Sequence, residues 1–368
     1  MRDLGKIERI VIKIGTQTLT KLGTVEIDSA YIKEIARQIS QIHQQSIKVI
    51  IVTSGAIGMG AGQLKMTEAV KNPQIRQVCA AVGQPLLMQE YKIAFSKYKI
   101  TVAQILLTSH VLDREITYRN LQNALKGLIE RNVLPIINEN DSVSTEEIGK
   151  SFGDNDRLSA RVASKIEADL LIILTDIEGL YTKDPRKYPD ATLVPTVDEI
   201  SPEIIASAGE PGSNYARGGM ASKIEAVKIA FDAGCQTIIA HGREKNVLTK
   251  IIQGKDIGTI FKPKTKDKID DRKRWIRNSF AAGRIKVNQI FKKVKKNQDI
   301  FPKDIMEVEG VFQKNSVIEI NGVFKAVSQL DSDLLKELQG KPQSEVKKKL
   351  GNGYGSTIAV KHDDVVKI

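Results

Sequence analysis

The chain has 368 residues, with 56 Lys plus Arg against 44 Asp plus Glu, a formal charge of +12. Its 41% hydrophobic and 27% charged residues make it a globular protein rather than a fibrous or disordered one, and its length suits about two or three domains. No apolar run approaches the ~20 residues that a membrane-spanning helix requires.

In chain order, RIVIKIG (9–15) is a short apolar run ending in glycine, the pattern of a buried strand. From Asp28 to Gln45, Ile32, Ile35, Ala36, Ile39 and Ile42 fall at helical spacing behind Asp28 as a cap. KVIIVTSGAIGMGAG (48–62) reads as a strand followed by a glycine-rich turn. The alternation continues with a strand at 100–108, a helix near 117–131, and a strand at 132–138. A helix near 156–167, a strand at 169–176, a helix near 219–233 and a strand at 236–240 complete it. Strands that are apolar throughout, separated by amphipathic helices, predict an α/β fold: an open, mostly parallel sheet sandwiched by helices. In such sheets ligands bind beyond the carboxyl ends of the strands, where the glycine-rich and polar segments fall.

The character changes near residue 262. KPKTKDKIDDRKRW (262–275) is a charged connector without apolar periodicity, and short strand-like pieces such as GRIKV, IMEVEGVF and SVIEINGVFKAVS follow. The expected organisation is a first domain over 1–262, a linker over 263–275 and a small β-rich domain over 276–368. Residues 1–240 hold 28 basic and 28 acidic residues, whereas 241–368 hold 28 and 16, so the whole +12 lies in the second part. Cys79 and Cys235 are too few for a disulfide framework or zinc site, and the four histidines (His43, His110, His241, His362) have no metal-ligand spacing. The amino terminus does not resemble a signal peptide, so a cytoplasmic setting is the expectation.

Several stretches carry chemistry. Lys13 lies in an apolar strand followed by Gly15 and Thr16. It is either a phosphate partner at the mouth of the sheet or an edge-strand lysine facing water. Ser54, Gly55 and Ala56 stand where amides could meet an anion, although neither the GxxxxGK[ST] nor the GxGxxG pattern occurs there. In YARGGMASKIEAVKIAFDAG (215–234) a glycine pair precedes a periodic helix with Lys223 near its start. A helix amino terminus disfavours cations and favours anions, so this lysine suits a site where both grip one phosphate. NENDSVSTEEIGKSFGDND (138–156) places six acids and one lysine after an apolar strand. Asp141, Asp154, Asn155 and Asp156 would serve Mg2+, a substrate ammonium group, or simple helix capping. ILTDIEGLYTKDPRKYP ends a strand at Thr175 and Asp176, a setting for a nucleotide base and ribose.

Together and in this order, VIKIGTQTLT, VTSGAIGMG, AAVGQPLLM, QILLT, NVLPIINENDSV, GDNDRLSARVA, LLIILTDIEGLYTKDPR and GGMASKIEAVKIA resemble the glutamate 5-kinase family of the amino acid kinase superfamily. The likeness runs nearly continuously over 7–262, and the tail, through RKRWI and LGNGYGSTIAVKHDDVV, resembles the PUA domain that many bacterial members carry. The resemblance implies an amino acid kinase fold and phosphoryl transfer from ATP, with Mg2+, to the γ-carboxylate of L-glutamate, at the start of proline biosynthesis. It implies that Lys13 and Lys223 flank the transferring group and that Asp156 orients them. Ser54, Asp141 and Asn155 would hold glutamate with Asp154 close by. Thr175, Asp176, Arg217, Gly218, Gly219, Met220, Ala221, Ser222 and Lys223 would contact ATP. It further implies proline as a feedback inhibitor and a homo-oligomer, dimer or tetramer. A carboxylate nucleophile is ionised at neutral pH, so no general base is needed; alignment and charge neutralisation remain to be supplied. An acidic loop fits a free α-ammonium, which an N-acylated substrate lacks. The chain departs from the family pattern at Arg217, where a small hydroxyl residue is usual, in a longer segment between Asp141 and Gly153, and in missing glycines of the tail.

Two alternative readings stand beside this one. A sibling kinase would act on aspartate, carbamate or UMP. A basic tail binding RNA would need aromatic platforms, and Trp275, Phe280, Phe291, Phe301, Phe312, Phe324 and Tyr354 fit core positions better.

Overall fold

A computed structural model describes all residues except 23, 25, 67–69, 71, 144–154, 208–218, 264–269, 291–293, 295 and 351–356. The chain divides into two compact units, 1–109 with 121–268, and 110–120 with 269–368.

The first unit holds an eight-stranded sheet. Its strands are β1 (Arg9–Ile14), β2 (Lys48–Val52), β3 (Val102–Leu107), β4 (Leu134–Glu139), β5 (Leu170–Thr175), β6 (Thr196–Val197), β7 (Gln236–His241) and β8 (Thr259–Phe261). The order is β3-β4-β2-β1-β5-β7-β8-β6, parallel from β3 through β7, with β8 antiparallel to β7. Strand β1 is central, its Lys13 level with Val52 on β2 and Ile173 on β5. Ile10, Ile12, Ile14 and all of β5 up to Leu174 are fully buried, the mark of a sheet covered on both faces. Truncating such an isoleucine to alanine typically costs about 2–5 kcal/mol.

The covering helices are α1 (Thr16–Leu19), α2 (Ser29–His43), α3 (Ala56–Gln63), α4 (Pro73–Ser96), α5 (Ser109–Asp113), α6 (Glu115–Glu130), α7 (Asn155–Lys165), α8 (Pro202–Ser207), α9 (Met220–Asp232) and α10 (Val247–Ile252); α5 and the start of α6 run into the second unit. Asp28 caps α2 as expected, accepting the Tyr31 N–H at 3.1 Å. The segment read as a glycine-rich turn after β2 is in fact helix α3. Gly60 on α3 and Gly83 on α4 serve packing: a Cβ on Gly60 would stand 1.8 Å from the Cys79 carbonyl oxygen, and one on Gly83 only 1.9 Å from that of Ala56. Helices α3 and α4 therefore meet backbone to backbone, which seats the first turn of α3 beside Gly83. Among the described residues no helix is long and apolar enough to cross a membrane.

The second unit contains α11 (Asp271–Asn278) and β9 (Gly283–Val287), β10 (Ile305–Gly310), β11 (Val317–Ile320), β12 (Phe324–Val327) and β13 (Val366–Lys367), with α12 (Ser332–Leu338) and α13 (Gln343–Leu350). Its sheet has the order β10-β9-β11-β12-β13, the smaller β-rich layer expected of a PUA-like domain. Asn321 and Gly322, both at positive φ, turn the β11–β12 hairpin. The Asn321 carboxamide also stands in for a strand neighbour, accepting from Val287 N at 2.7 Å and donating to Val287 O at 3.0 Å. Trp275, Phe312 and Phe324 are buried in this unit. The charged connector yields α11, whose Trp275 Nε1 donates to Leu112 O at 3.0 Å. Arg272 clasps Asp364 and Glu115.

Candidate active site

Strand β1 carries Lys13 to the carboxyl end of the sheet, where the chain turns at Gly15. The turn lies close under the ammonium: a Cβ on Gly15 would be 3.4 Å from Lys13 Nζ and 3.5 Å from the Leu174 carbonyl oxygen. Lys13 is only 4% exposed, which excludes the reading as a water-facing edge lysine. A buried ammonium needs a charge partner, and Asp156 in the first turn of α7 supplies it, with Oδ1 2.6 Å from Lys13 Nζ. The other oxygen of the same carboxylate lies 3.2 Å from Lys223 Nζ, and Ser222 Oγ donates to it at 3.3 Å. Lys223 is as buried as Lys13, and Asp156 is fully enclosed. Three distant stretches of chain thus meet at one point: a strand end and the first turns of α7 and α9.

The electrostatics follow. Asp156 at a helix amino terminus is favoured by the dipole, and Lys223 at the next one is disfavoured. Two ammonium groups share one carboxylate, so these three side chains together carry +1 in a desolvated place. Such an arrangement favours the arrival of an anion.

One residue earlier, Asn155 builds a second, uncharged cluster. Its Nδ2 donates to the Thr53 carbonyl, to Ser54 Oγ at 2.9 Å and to Asn138 Oδ1 at 2.9 Å. Thr53 is held in turn by Tyr91 of α4, hydroxyl to hydroxyl at 2.8 Å. Burial pushes the Tyr91 hydroxyl well above its ordinary pKa, so it stays neutral. Asn138 Nδ2 continues the chain to Gln84 Oε1 at 2.8 Å. Next to these groups opens a pocket of about 240 Å3, whose walls include Ala56, Gln84, Gln104, Glu139 and Asp141.

The structure therefore brings Lys13, Asp156, Ser222 and Lys223 together, joins Ser54 to Asn155, and sets Asp141 on the adjoining pocket. Thr175 ends β5, its Oγ1 donating to Asp176 Oδ1 at 3.0 Å, with Asp176 exposed. Gly219 caps α9 in an extended conformation, followed by buried Met220 and half-buried Ala221. Asp154, Arg217 and Gly218 lie outside the described residues. Sequence reasoning passed over Asn138 and Gln84. Both sit inside strings it singled out, but nothing in spacing alone marks an amide as hydrogen-bonded to another. Among the described residues no group of three or more His, Cys, Asp or Glu could hold a metal ion.

Comparison with known proteins identifies the family. The model of the amino acid kinase family matches residues 8–241. The chain is 42% identical to a glutamate 5-kinase of Methanosarcina barkeri, over 96% of each chain. It is 36% identical to a glutamate 5-kinase of Haemophilus influenzae, over 97% of this chain and 98% of that one. Among solved structures it is similar to a carbamate kinase from Giardia lamblia bound to AMP-PNP, at a TM-score of 0.50 and 18% identity, covering 70% of this chain and 98% of the other. At that identity the likeness concerns the fold. The chain belongs to the amino acid kinase family and, within it, to the glutamate 5-kinases.

Proposed function

We propose that the protein transfers the γ-phosphoryl group of ATP, bound as its Mg2+ complex, to the γ-carboxylate of L-glutamate, giving L-glutamyl 5-phosphate and ADP. The observation that carries this reading is the Lys13–Asp156–Lys223 cluster, in a chain whose relatives are glutamate kinases over nearly their whole length.

A carboxylate oxygen attacks the γ-phosphorus, the bond from that phosphorus to the β,γ-bridging oxygen breaks, and the electron pair leaves on ADP. No proton moves, so no general base is required. The work is positioning and charge stabilisation. Lys13 and Lys223 approach the transferring group from β1 and α9, and Asp156 holds both ammonium groups in place between turnovers. The amino end of α9 offers its backbone N–H groups to the phosphates. Thr175, Asp176 and the segment from Arg217 to Lys223 serve the nucleotide. Mg2+ carried in with the nucleotide would supply further neutralisation of the charge on the transferring phosphoryl group. Ser54, Asn155 and Asp141, with Asp154, hold glutamate, the acids taking its ammonium group. Asn155 spends its NH2 on Thr53, Ser54 and Asn138, so its Oδ1 is the atom left to accept from that ammonium.

The test is direct. The purified protein with L-glutamate, MgATP and hydroxylamine should form γ-glutamyl hydroxamate, the trapped acyl phosphate. Aspartate, carbamate and UMP should give far less turnover. Well-folded protein that yields no hydroxamate would refute the proposal.

A further inference from the structure

The orientation of the amides beside α7 is fixed by groups whose roles are not open to choice. The Glu139 backbone N–H can only donate, and it reaches Asn138 Oδ1 at 2.9 Å. The Thr53 carbonyl can only accept, and it takes the Asn155 NH2, which donates to Asn138 Oδ1 as well. Asn138 must therefore turn its own NH2 outward, to Gln84 Oε1 at 2.8 Å. The relay ends there. It leaves Gln84 Nε2 buried with no hydrogen-bond partner among the described residues, on a side chain only 8% exposed that lines the pocket beside Asp141. A buried donor without a partner is costly and rare in folded proteins, and each instance calls for an explanation. Gln104 on the same wall is exposed, so its amide is solvated before any ligand arrives.

We propose that Gln84 Nε2 is the donor for the α-carboxylate of the amino-acid substrate, reading the α-end of that substrate jointly with Asp141. The inference rests on the glutamate-kinase reading above. The chemistry of the pocket is that of a zwitterion: Glu139 and Asp141 offer charge to an ammonium group, and a fixed NH2 faces a carboxylate. Close packing builds this in. Gly83 lets α4 touch the Ala56 carbonyl, and Gln84 is the next residue.

The experiment compares full-length wild type with Q84E and Q84M in the hydroxamate assay. If wild type makes no product, the underlying reading fails, independently of Gln84. If wild type is active, both variants should raise the KM for glutamate roughly 10- to 100-fold, the size of a lost hydrogen bond to a charged group. Their kcat and ATP KM should stay within about threefold. Q84E decides between contact and scaffolding. It keeps the shape of glutamine and an oxygen for Asn138, so a merely structural Gln84 predicts an unchanged glutamate KM; that result would overturn the proposal. So would a loss that falls on kcat or on ATP. A second readout uses γ-aminobutyrate, which lacks the α-carboxylate, as a competitive inhibitor. Its inhibition constant should be the same in wild type and Q84M within about threefold, and a penalty as large as that for glutamate would also overturn the proposal. Should Q84M fail to fold, Q84E alone decides.

Discussion

Replacing Asp156 by asparagine keeps the shape of the side chain and removes its charge. The consequence can be worked from the geometry. Asp156 is fully enclosed, with ammonium groups 2.6 Å and 3.2 Å from its two oxygens. Removing one member of a buried charge cluster typically costs about 3–5 kcal/mol, because the partners stay buried without compensation. Each kcal/mol moves the Tm of a domain of this size by about 2–4 °C, so D156N should melt about 6–20 °C lower. Turnover in the hydroxamate assay should fall at least about 100-fold, in line with losing one preorganised electrostatic contact. A companion variant separates stability from chemistry. In K13M/D156L/K223M all three charges are replaced by apolar groups of similar size, a change that buried ion clusters generally tolerate. It should recover most of the lost Tm and none of the activity. A D156N enzyme with wild-type turnover, or a triple variant less stable than D156N, would refute the reasoning.

Other expectations concern the supports of the site. G83A should be destabilised by several kcal/mol and lose glutamate binding, since its Cβ would lie 1.9 Å from the Ala56 oxygen and 2.4 Å from the Gly60 nitrogen, both backbone atoms. G62A on α3 meets nothing within 4 Å and should be neutral or stabilising by up to about 1 kcal/mol in a thermal melt. At Asp28, burial alone would raise the carboxyl, but the Tyr31 N–H and the Arg243 guanidinium hold it below its ordinary value of 3.8. A depressed carboxyl stabilises the fold fully above pH 3.8 and loses that contribution as pH falls through its lower folded value. D28A should therefore cost about 1–2 kcal/mol in denaturation at pH 7, and its deficit should shrink in acid. A deficit constant down to pH 3 would contradict the assignment.

Much of the fold was legible because the strands are apolar throughout and their partners parallel. RIVIKI, LLIILT and QTIIA are near-continuous runs that only a sheet buried on both faces accommodates. The site residues were legible because charge stands out against such runs: Lys13 interrupts β1, and Asp156 and Lys223 open helices. What escaped depends on contacts between remote segments. Helix α4 extends over 24 residues with Pro85 inside, and its first half buries small residues, Cys79, Ala80 and Gly83, before Leu87, Tyr91 and Phe95 take up an apolar stripe. Read alone, the glycines of α3 signal a turn; only the approach of α4 explains Gly60. Residues 110–120 pack with the second unit through Leu112, Asp113 and Glu115, single contacts that no periodicity announces. The Asn155–Asn138–Gln84 relay joins positions 71 residues apart at its ends, beyond any local pattern.

The central claim is that a glutamate carboxylate oxygen itself attacks the phosphorus held between Lys13 and Lys223. Glutamate labelled with 18O in both γ-carboxylate oxygens, turned over with MgATP and hydroxylamine, reports on this through the phosphate released as hydroxamate forms. One 18O atom in each phosphate, abolished in K13M and K223M, is the predicted result. Phosphate released without label would mean that water, not glutamate, receives the phosphoryl group, and would contradict the account.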